Sequence, residues 1–247
     1  MKSPRWLALF LSSLIVLIVF AANRVFAADY KVVSGGVKDG GTVSGRVTFN
    51  GTPPAPAMLK VDEDVQVCGA DRPSDELLVS GSRGIQNVVL SLETVAAGKD
   101  WELGEEFTYD QRKCTFVPRI MLVKPNMAGT VLNNDSVGHN FHTISTGIYN
   151  INKKIQPNAK LVVAKDQIRK SGRVRAKCDI HSWMGGWWIV AETPYTVVTD
   201  KDGNFSITNV PPGTYTLKTW HEKLRASEQK VVVKTGEATK ANVGLKL

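Results

Sequence analysis

The 247-residue chain carries 31 Lys and Arg residues against 23 Asp and Glu residues, a formal net charge of +8. It has only four histidines and three cysteines, which excludes any site that needs a large set of histidine ligands. No nucleic-acid-binding motif accompanies the positive charge and no long helical periodicity appears, so the sequence predicts an all-β protein without a nucleic-acid partner.

The first 27 residues have the pattern of an export signal. A basic start precedes an apolar run of 17 residues, Trp6 to Ala22, and Val25-Phe26-Ala27 ends in a small-x-small cleavage pattern. The run is shorter than the roughly 20 residues needed to span a bilayer, which favours cleavage over an uncleaved anchor. We therefore expect an exported, periplasmic chain without a membrane span, whose net charge falls to +5 once the three basic residues of the signal are removed.

Two segments before residue 100 are predicted strands. Residues 41–51 alternate apolar and polar side chains and end in Asn-Gly, which is typical of a strand that enters a turn. Residues 87–93 are rich in β-branched side chains. The stretch from 61 to 83 between them is irregular and acidic.

The middle of the chain combines predicted strands with two polar loops. Strand character is found at 116–124, 129–134, 159–163 and 172–177. The second of these leads to His139, and the last runs directly into Cys178. The order strand, loop with candidate ligands, strand is the arrangement that a metal site formed by these loops requires.

Cys178, His181 and Met184 form a C-x2-H-x2-M run. Thiolate, imidazole and thioether donors together select copper over hard ions. A trigonal site needs a second imidazole, for which His139 is the candidate. With Met184 as a long axial ligand, this is the ligand set of a blue-copper electron-transfer site, so we expect one copper ion that cycles between Cu(II) and Cu(I).

His142 competes with His139 for the role of second imidazole. It could be an equatorial ligand, an extra contact to the metal, or a group that binds the ligands without contacting the metal. Residues three apart on an extended chain point to opposite faces, so both histidines could bind one metal only if the chain turns.

The stretches NNDSVGHN and CDIHSWM resemble the two ligand loops of cupredoxins such as plastocyanin and amicyanin, and the loop spacing is most similar to amicyanin. This resemblance favours His139 over His142 as the ligand. It also implies that Asn140 helps to tie the two loops together by hydrogen bonds. CTFVPR resembles a family motif in which histidine would follow the proline, but this chain has Arg119 there.

The pieces GTVSGRVTFNGTPP, NVVLSLE, TDKDGNFSI and NVPPGTYTLKTW resemble a carboxypeptidase-regulatory or transthyretin-like β-sandwich. Exported bacterial plastocyanin-like proteins joined to such a module are similar over nearly all of the mature chain. The resemblance implies a cupredoxin Greek-key sandwich, residues 101–192, inserted into a smaller discontinuous sandwich, residues 28–100 plus 193–247. The alternative is two sandwiches in series after an irregular arm. Pairing between residues 41–49 and 204–218 distinguishes the two arrangements.

With Cys178 as a ligand, Cys68 and Cys114 remain. In an oxidising compartment they could pair as a disulfide. Two buried thiols and a second metal contact are the alternatives.

Positive charge is concentrated between residues 152 and 177, where nine basic residues face only Asp166. Such a region could steer an acidic redox partner towards the copper loop. The alternative is a solvated strand face with no partner.

We expect an electron relay and not an enzyme. Four histidines are too few for a multicopper oxidase, and the single cysteine in the ligand loop excludes a binuclear copper centre of the oxidase type. Two other hypotheses remain open: a cell-envelope interaction module with structural copper, and a copper-binding or delivery protein.

Overall fold

The computed structural model describes residues 30–247, so the export signal predicted at residues 1–27 lies outside the described part of the chain. The all-β prediction is confirmed. No helix within residues 30–247 has the length and apolar character to cross a membrane. The elements, in chain order, are β1 (Lys31–Val32), β2 (Gly41–Phe49), β3 (Met58–Leu59), α1 (Val65–Cys68), β4 (Arg72–Pro73), β5 (Val89–Glu93), β6 (Ala97–Gly98), β7 (Glu106–Gln111), β8 (Phe116–Val117), β9 (Ile120–Val123), β10 (Ala128–Asn133), β11 (His139–Ile144), β12 (Asn152–Ile155), β13 (Lys160–Val163), β14 (Gly172–Lys177), β15 (Gly185–Val190), β16 (Thr196–Val198), β17 (Asn204–Val210), β18 (Gly213–Trp220), β19 (Ser227–Val233), β20 (Ala238–Lys240) and β21 (Val243–Leu245).

The first sandwich is built from strands near both ends of the described chain, and we call it the discontinuous sandwich. One sheet has the order β16-β5-β18-β19, and the other has the order β17-β2-β20, with β21 also paired to β2. The alternation of β2 follows from its position, because Val43, Val47 and Phe49 are buried and the polar residues between them are partly exposed.

Strands that are distant in sequence pair within this sandwich. β2 is antiparallel to β17, with Val43 opposite Ile207, and β5 is antiparallel to β18, with Leu92 opposite Leu217. Strands before residue 100 therefore share sheets with strands after residue 200. This is the pairing that the insertion hypothesis requires and that two sandwiches in series would lack.

Residues 106–190 form a second sandwich, which we call the inserted sandwich. Its sheets have the orders β13-β10-β7-β8 and β12-β11-β14-β15-β9. The core centres on Trp188, whose ring centroid lies 5.5 Å from that of Tyr109 and 5.3 Å from that of Phe141. Buried aromatic rings contribute a large apolar area, and here they hold together the two sheets from which the candidate ligand loops extend.

Residues 58–76, which the sequence analysis assigns to the discontinuous sandwich, pack against the inserted sandwich instead. Val61 and Cys68 are buried in the core of the inserted sandwich, and Cys68 forms a disulfide with Cys114. β3 and β4 of this stretch pair only with each other among the described strands. Without an alternating pattern the stretch has no place in a sheet of either sandwich, and the disulfide ties it to the inserted one. We call residues 58–76 the cover segment.

Arg119 connects the two sandwiches through a buried ion pair. Its guanidinium donates to both carboxylate oxygens of Glu222, at 2.6 and 2.9 Å, and to the carboxylate of Asp75 in the cover segment. Only 8% of the Arg119 side chain and 9% of the Glu222 side chain are exposed. Trp187 donates its indole N–H to the same carboxylate at 3.1 Å. The position at which the family motif would have histidine therefore has a structural role in this chain.

Replacing Arg119 with lysine is expected to lower the free energy of unfolding by about 2 kcal/mol. Lysine keeps the charge but cannot donate to both oxygens of Glu222 and to Asp75 in the same fixed geometry, so a buried acceptor loses a partner. Urea denaturation measures the change. Arg169→Lys, at an exposed arginine, is the matched control and should stay within about 0.5 kcal/mol of the wild type. Equal effects of the two changes would contradict a special role for the Arg119 ion pair.

His221, directly after β18, predicts a pH dependence of stability. The side chain is 4% exposed, and burial, the largest cause, lowers its pKa to about 4. The unfolded chain protonates this histidine near pH 6.5. Stability should therefore be complete above pH 6.5 and fall as the pH decreases towards 4, by about 3 kcal/mol in total. Comparing the free energy of unfolding of wild type and His221→Asn at pH 7 and pH 4.5 isolates this contribution, and parallel losses in both proteins would contradict it.

Candidate metal centre

The two candidate ligand loops meet because their strands are neighbours in one sheet. β11 begins with His139, and β14 ends one residue before Cys178. The two strands are antiparallel, with His142 opposite Lys177, so the start of β11 lies beside the end of β14. Residues that are 39 positions apart in the chain are thus brought together by sheet register.

Three donor atoms converge at this end of the inserted sandwich. The Nδ1 atoms of His139 and His181 lie 2.9 Å apart, and the Sγ atom of Cys178 lies 3.7 Å from Nδ1 of His181. All three donor atoms lie within 4.8 Å of one another. Both histidines are fully buried and Cys178 is 3% exposed, so bulk water is kept from the donors.

Backbone hydrogen bonds hold the Cys178 loop in a tight turn. Cys178 donates its N–H to the carbonyl of Met184 at 3.4 Å, and Met184 donates to the carbonyl of His181 at 2.9 Å. The sulfur accepts two backbone N–H groups, from His181 at 3.4 Å and from Asn140 at 3.3 Å. These two contacts fix the position of the sulfur atom, which binds metal ions as a thiolate.

Each imidazole is oriented by a carboxylate on its outer nitrogen. Nε2 of His139 lies 2.8 Å from Oδ2 of Asp135, and Nε2 of His181 lies 3.0 Å from Oδ2 of Asp64. A carboxylate partner keeps the proton on Nε2, which leaves the Nδ1 lone pair directed at the shared position. Metal sites in proteins commonly have this arrangement, in which a carboxylate binds one nitrogen of an imidazole ring and the other nitrogen faces the metal.

Asp135 is itself fixed by the surrounding backbone. It accepts hydrogen bonds from the N–H groups of Lys113, at 2.6 Å, and Cys114, at 2.8 Å. The side-chain oxygen of Asn133 accepts the backbone N–H of Asp135 at 3.0 Å. The carboxylate is therefore held in place before a metal binds. Asp135 was not among the predicted site residues, although an acid four residues before a candidate ligand is a signal that could have indicated it.

Burial lowers the pKa of His139, and its hydrogen bond to Asp135 opposes that shift only in part. At neutral pH the ring is therefore uncharged. The neutral imidazole is the form that binds a metal ion, so the environment of His139 matches the expected role.

Asn140 and His142 lie on the other side of β11 from His139. The side-chain oxygen of Asn140 accepts the backbone N–H of Asp179 at 3.2 Å, so this residue bonds to the second loop through both its backbone and its side chain. His142 points away from the converging donors and contacts both oxygens of Asp179 at 2.9 and 3.0 Å. Hydrogen bonds from Lys177 and His142 lower the pKa of Asp179 to about 2. His142 is thus a partner of a surface carboxylate and is not among the converging donors.

Met184 completes the loop and is 2% exposed. It lines, together with Cys178, a cavity of about 280 Å³ whose wall also includes Arg175 and Lys177. Trp183 packs against His181 with ring centroids 5.2 Å apart. Trp183 also lines this cavity, so its indole ring lies between the cavity and His181.

The donor set fits a copper ion. Two neutral imidazole nitrogens and one thiolate sulfur converge in a dry site, with a thioether in the same loop. This combination is soft, and it is the combination that proteins use for copper electron-transfer sites. The carboxylates of Asp64 and Asp135 are already engaged by the outer ring nitrogens.

A family model described as carboxypeptidase regulatory-like domain matches residues 185–246. The match includes β16 to β21, all six C-terminal strands of the discontinuous sandwich. The C-terminal part of the discontinuous sandwich is therefore similar to a carboxypeptidase regulatory-like domain. The match begins in β15, which pairs with β14 of the inserted sandwich, and β2 and β5 complete the discontinuous sandwich from outside the matched residues.

A copper-containing enzyme and several cupredoxins are among the solved structures with a partial likeness to the chain. A copper-containing nitrite reductase from Thermus scotoductus SA-01 has 18% identity and a TM-score of 0.33, and the match covers 41% of this chain and 25% of the reductase. A purple cupredoxin from Nitrosopumilus maritimus has 18% identity and a TM-score of 0.29, and the match covers 34% of this chain and 98% of the cupredoxin. Amicyanin from Paracoccus versutus has 15% identity and a TM-score of 0.31, and the match covers 36% of this chain and 84% of amicyanin. The chain spans about a quarter of the length of the reductase. No curated protein sequence matches the chain.

Proposed function

We propose that this chain is an exported mononuclear copper protein that transfers single electrons. His139, Cys178 and His181 would hold the metal ion, with Met184 as a weak axial ligand. The observation that carries the proposal is the convergence of two Nδ1 atoms and one Sγ atom in a buried site. The one-electron chemistry would come from the Cu(II)/Cu(I) couple of the bound ion.

The protein residues contribute a site that needs little rearrangement when its charge changes. Asp64 and Asp135 fix the imidazole rings from outside, and the loop hydrogen bonds fix the sulfur. Burial keeps water from the donors, so no solvent ligand has to be gained or lost with each electron. The proposal assigns no substrate chemistry to the chain.

Export is proposed on two grounds. The first 27 residues have the signal pattern described above, and Cys68 and Cys114 form a disulfide, which persists in oxidising compartments such as the bacterial periplasm.

A protein with an acidic surface is the proposed redox partner.

A potentiometric titration of the copper-loaded protein, followed by visible absorption, tests the proposed function. We expect one reversible one-electron step, and we expect Met184→Leu to shift the midpoint potential while the step stays reversible, because axial contacts tune potential more than they hold the metal. A colour that does not bleach and return reversibly would contradict the proposal.

Copper delivery is a second candidate, favoured by the cavity that Cys178 and Met184 line. Transfer of Cu(I) from the loaded protein to the chelator bathocuproine disulfonate separates the two functions. A relay should keep its copper long after mixing, because all donors are buried and held. A delivery protein should lose copper to the chelator within the mixing time.

A further inference from the structure

The cover segment closes the imidazole edge of His181. Oδ2 of Asp64 lies 3.0 Å from the outer ring nitrogen of His181, and this histidine is fully buried. A partner that approaches the ring from that side would meet the cover segment first.

The cover segment is fastened at several points. The Cys68–Cys114 disulfide joins it to the inserted sandwich. The guanidinium of Arg72 donates to the carbonyl oxygens of Lys113, at 3.1 Å, and Cys114, at 2.6 Å. Val61 is buried in the core beneath it. These contacts make the cover a fixed part of the fold, so the edge of His181 is unavailable for docking.

A shorter connection to the surface starts at the sulfur of Cys178. The backbone N–H of Asn140 donates to Sγ at 3.3 Å. The side chain of Asn140 is partly exposed on the outer face of β11, where it contacts the side chain of Asn152. Asn152 donates to Asp179 at 3.0 Å. One hydrogen bond and one residue thus separate the thiolate from an open polar surface.

Basic side chains lie on the outer face of the sheet on both sides of this outlet, together with one acid, Asp179, which hydrogen-bonds to Asn140 and pairs with Lys177. The register puts Lys154 of β12 opposite Asn140, and Arg175 of β14 opposite Ile144, which is 49% exposed. Residues opposite each other in an antiparallel pair lie on the same face. Lys177 also faces outwards and pairs with Asp179 at 2.7 Å. We call Lys154, Asn140, Ile144, Arg175 and Lys177 the basic face.

We propose that the basic face is the docking surface for a redox protein with an acidic surface, and that the electron passes through Cys178 and Asn140 and not through His181. This inference rests on the proposed function. One electron leaves the loaded centre, which is oxidised, and reduces a one-electron metal centre in the partner. No proton moves and no bond breaks. Charge complementarity defines the partner, and a second copy of this net positive chain would be repelled.

The surface can be mapped without copper. The ¹⁵N-labelled, metal-free protein is titrated with hexacyanochromate(III), a paramagnetic trianion that broadens the NMR signals of amides near its binding site. We expect the strongest broadening at Lys154, Arg175 and their neighbours, and little broadening in the discontinuous sandwich. The strongest broadening in the cover segment, or at Lys165, Arg169 and Lys170 in the loop before β14, would overturn the proposal. Broadening that depends on protein concentration without the anion would indicate a second copy and would also overturn it.

Electron exchange with small complexes tests the outlet in the loaded protein. Lys154→Glu/Arg175→Glu should slow reduction by hexacyanoferrate(II) about tenfold at low ionic strength, since attraction of the anion is lost, and should not slow reduction by the cation hexaammineruthenium(II). Lys230→Glu/Lys246→Glu, at exposed lysines of the discontinuous sandwich, is the matched control and should leave both rates nearly unchanged. An equal slowing by the control pair would overturn the proposal.

A charge reversal on the cover provides an independent measurement. Asp62→Lys/Glu63→Lys places positive charge at exposed positions beside Asp64 and leaves the basic face and the site residues unchanged. If the anion docks on the basic face, the rate with hexacyanoferrate(II) should rise less than threefold. A rise of threefold or more would show that the anion reacts at the His181 edge and would overturn the proposal. Failure to bind copper would refute the proposed function, but the NMR map would still decide whether the basic face binds anions.

Discussion

Replacing Cys178 with serine is expected to abolish the intense visible band that the proposed copper–thiolate site would show. Such a band would arise from charge transfer between the thiolate and copper, and Sγ of Cys178 is the only free thiol sulfur among the described residues. Serine supplies a hard oxygen donor that stays protonated at neutral pH. Copper affinity should fall by more than about 100-fold, because loss of groups that merely orient ligands already costs 10- to 100-fold.

The measurement is a titration of purified protein with Cu(II), followed by absorption and by competition with a chelator. Met184→Leu is the matched control, because it changes the same loop but removes only a weak axial donor, and it should keep an intense band. A Cys178→Ser protein that binds copper tightly and retains the band would contradict the assignment.

Replacing Cys68 and Cys114 together with serine is expected to lower the free energy of unfolding by about 4 kcal/mol. The disulfide joins residues 46 positions apart, and the loop-closure entropy of such a crosslink corresponds to about this amount. The change also frees the cover segment that holds Asp64 against His181. Metal-free protein should therefore show faster labelling of Cys178 by a thiol reagent in the double variant.

Chemical denaturation of the oxidised wild type, the reduced wild type and the double serine variant checks this stability effect. The reduced wild type and the variant should coincide, since both lack the crosslink. A loss below about 1 kcal/mol in the variant would mean that the other contacts of the cover segment, such as those of Arg72, are sufficient to hold it.

The candidate ligands were predictable because their signal is local. Cys178, His181 and Met184 lie within seven residues, and their thiolate, imidazole and thioether donors together indicate copper chemistry. The choice of His139 over His142 needed the family resemblance, since alternation along a strand says only that the two cannot share a face. The register of β11 against β14 puts His139 on the donor side and His142 beside Asp179.

Asp64 was not predictable from the sequence. It lies 117 residues before His181 in an irregular acidic stretch, and no periodicity connects the two. Its position depends on a tertiary contact and a disulfide, neither of which leaves a local pattern. The same reason explains why residues 58–76 were assigned to the discontinuous sandwich and not to the inserted one. A segment without alternating apolar residues does not indicate which sheet it packs against.

The cluster of basic residues between 152 and 177 also needed the fold for its interpretation. β14 separates the cluster, because Arg175 and Lys177 lie near the ligand loop whereas Lys165, Arg169 and Lys170 precede the strand at its other end. Only part of the cluster can therefore act near the metal centre.

X-ray absorption at the copper edge of the loaded protein determines the ligands of the metal ion directly. We expect one short copper–sulfur bond and two copper–imidazole bonds, with little change between the oxidised and reduced forms and with loss of the sulfur in Cys178→Ser. A first shell made only of nitrogen and oxygen, or a ligand set that changes on reduction, would contradict a preformed electron-transfer site at His139, Cys178 and His181.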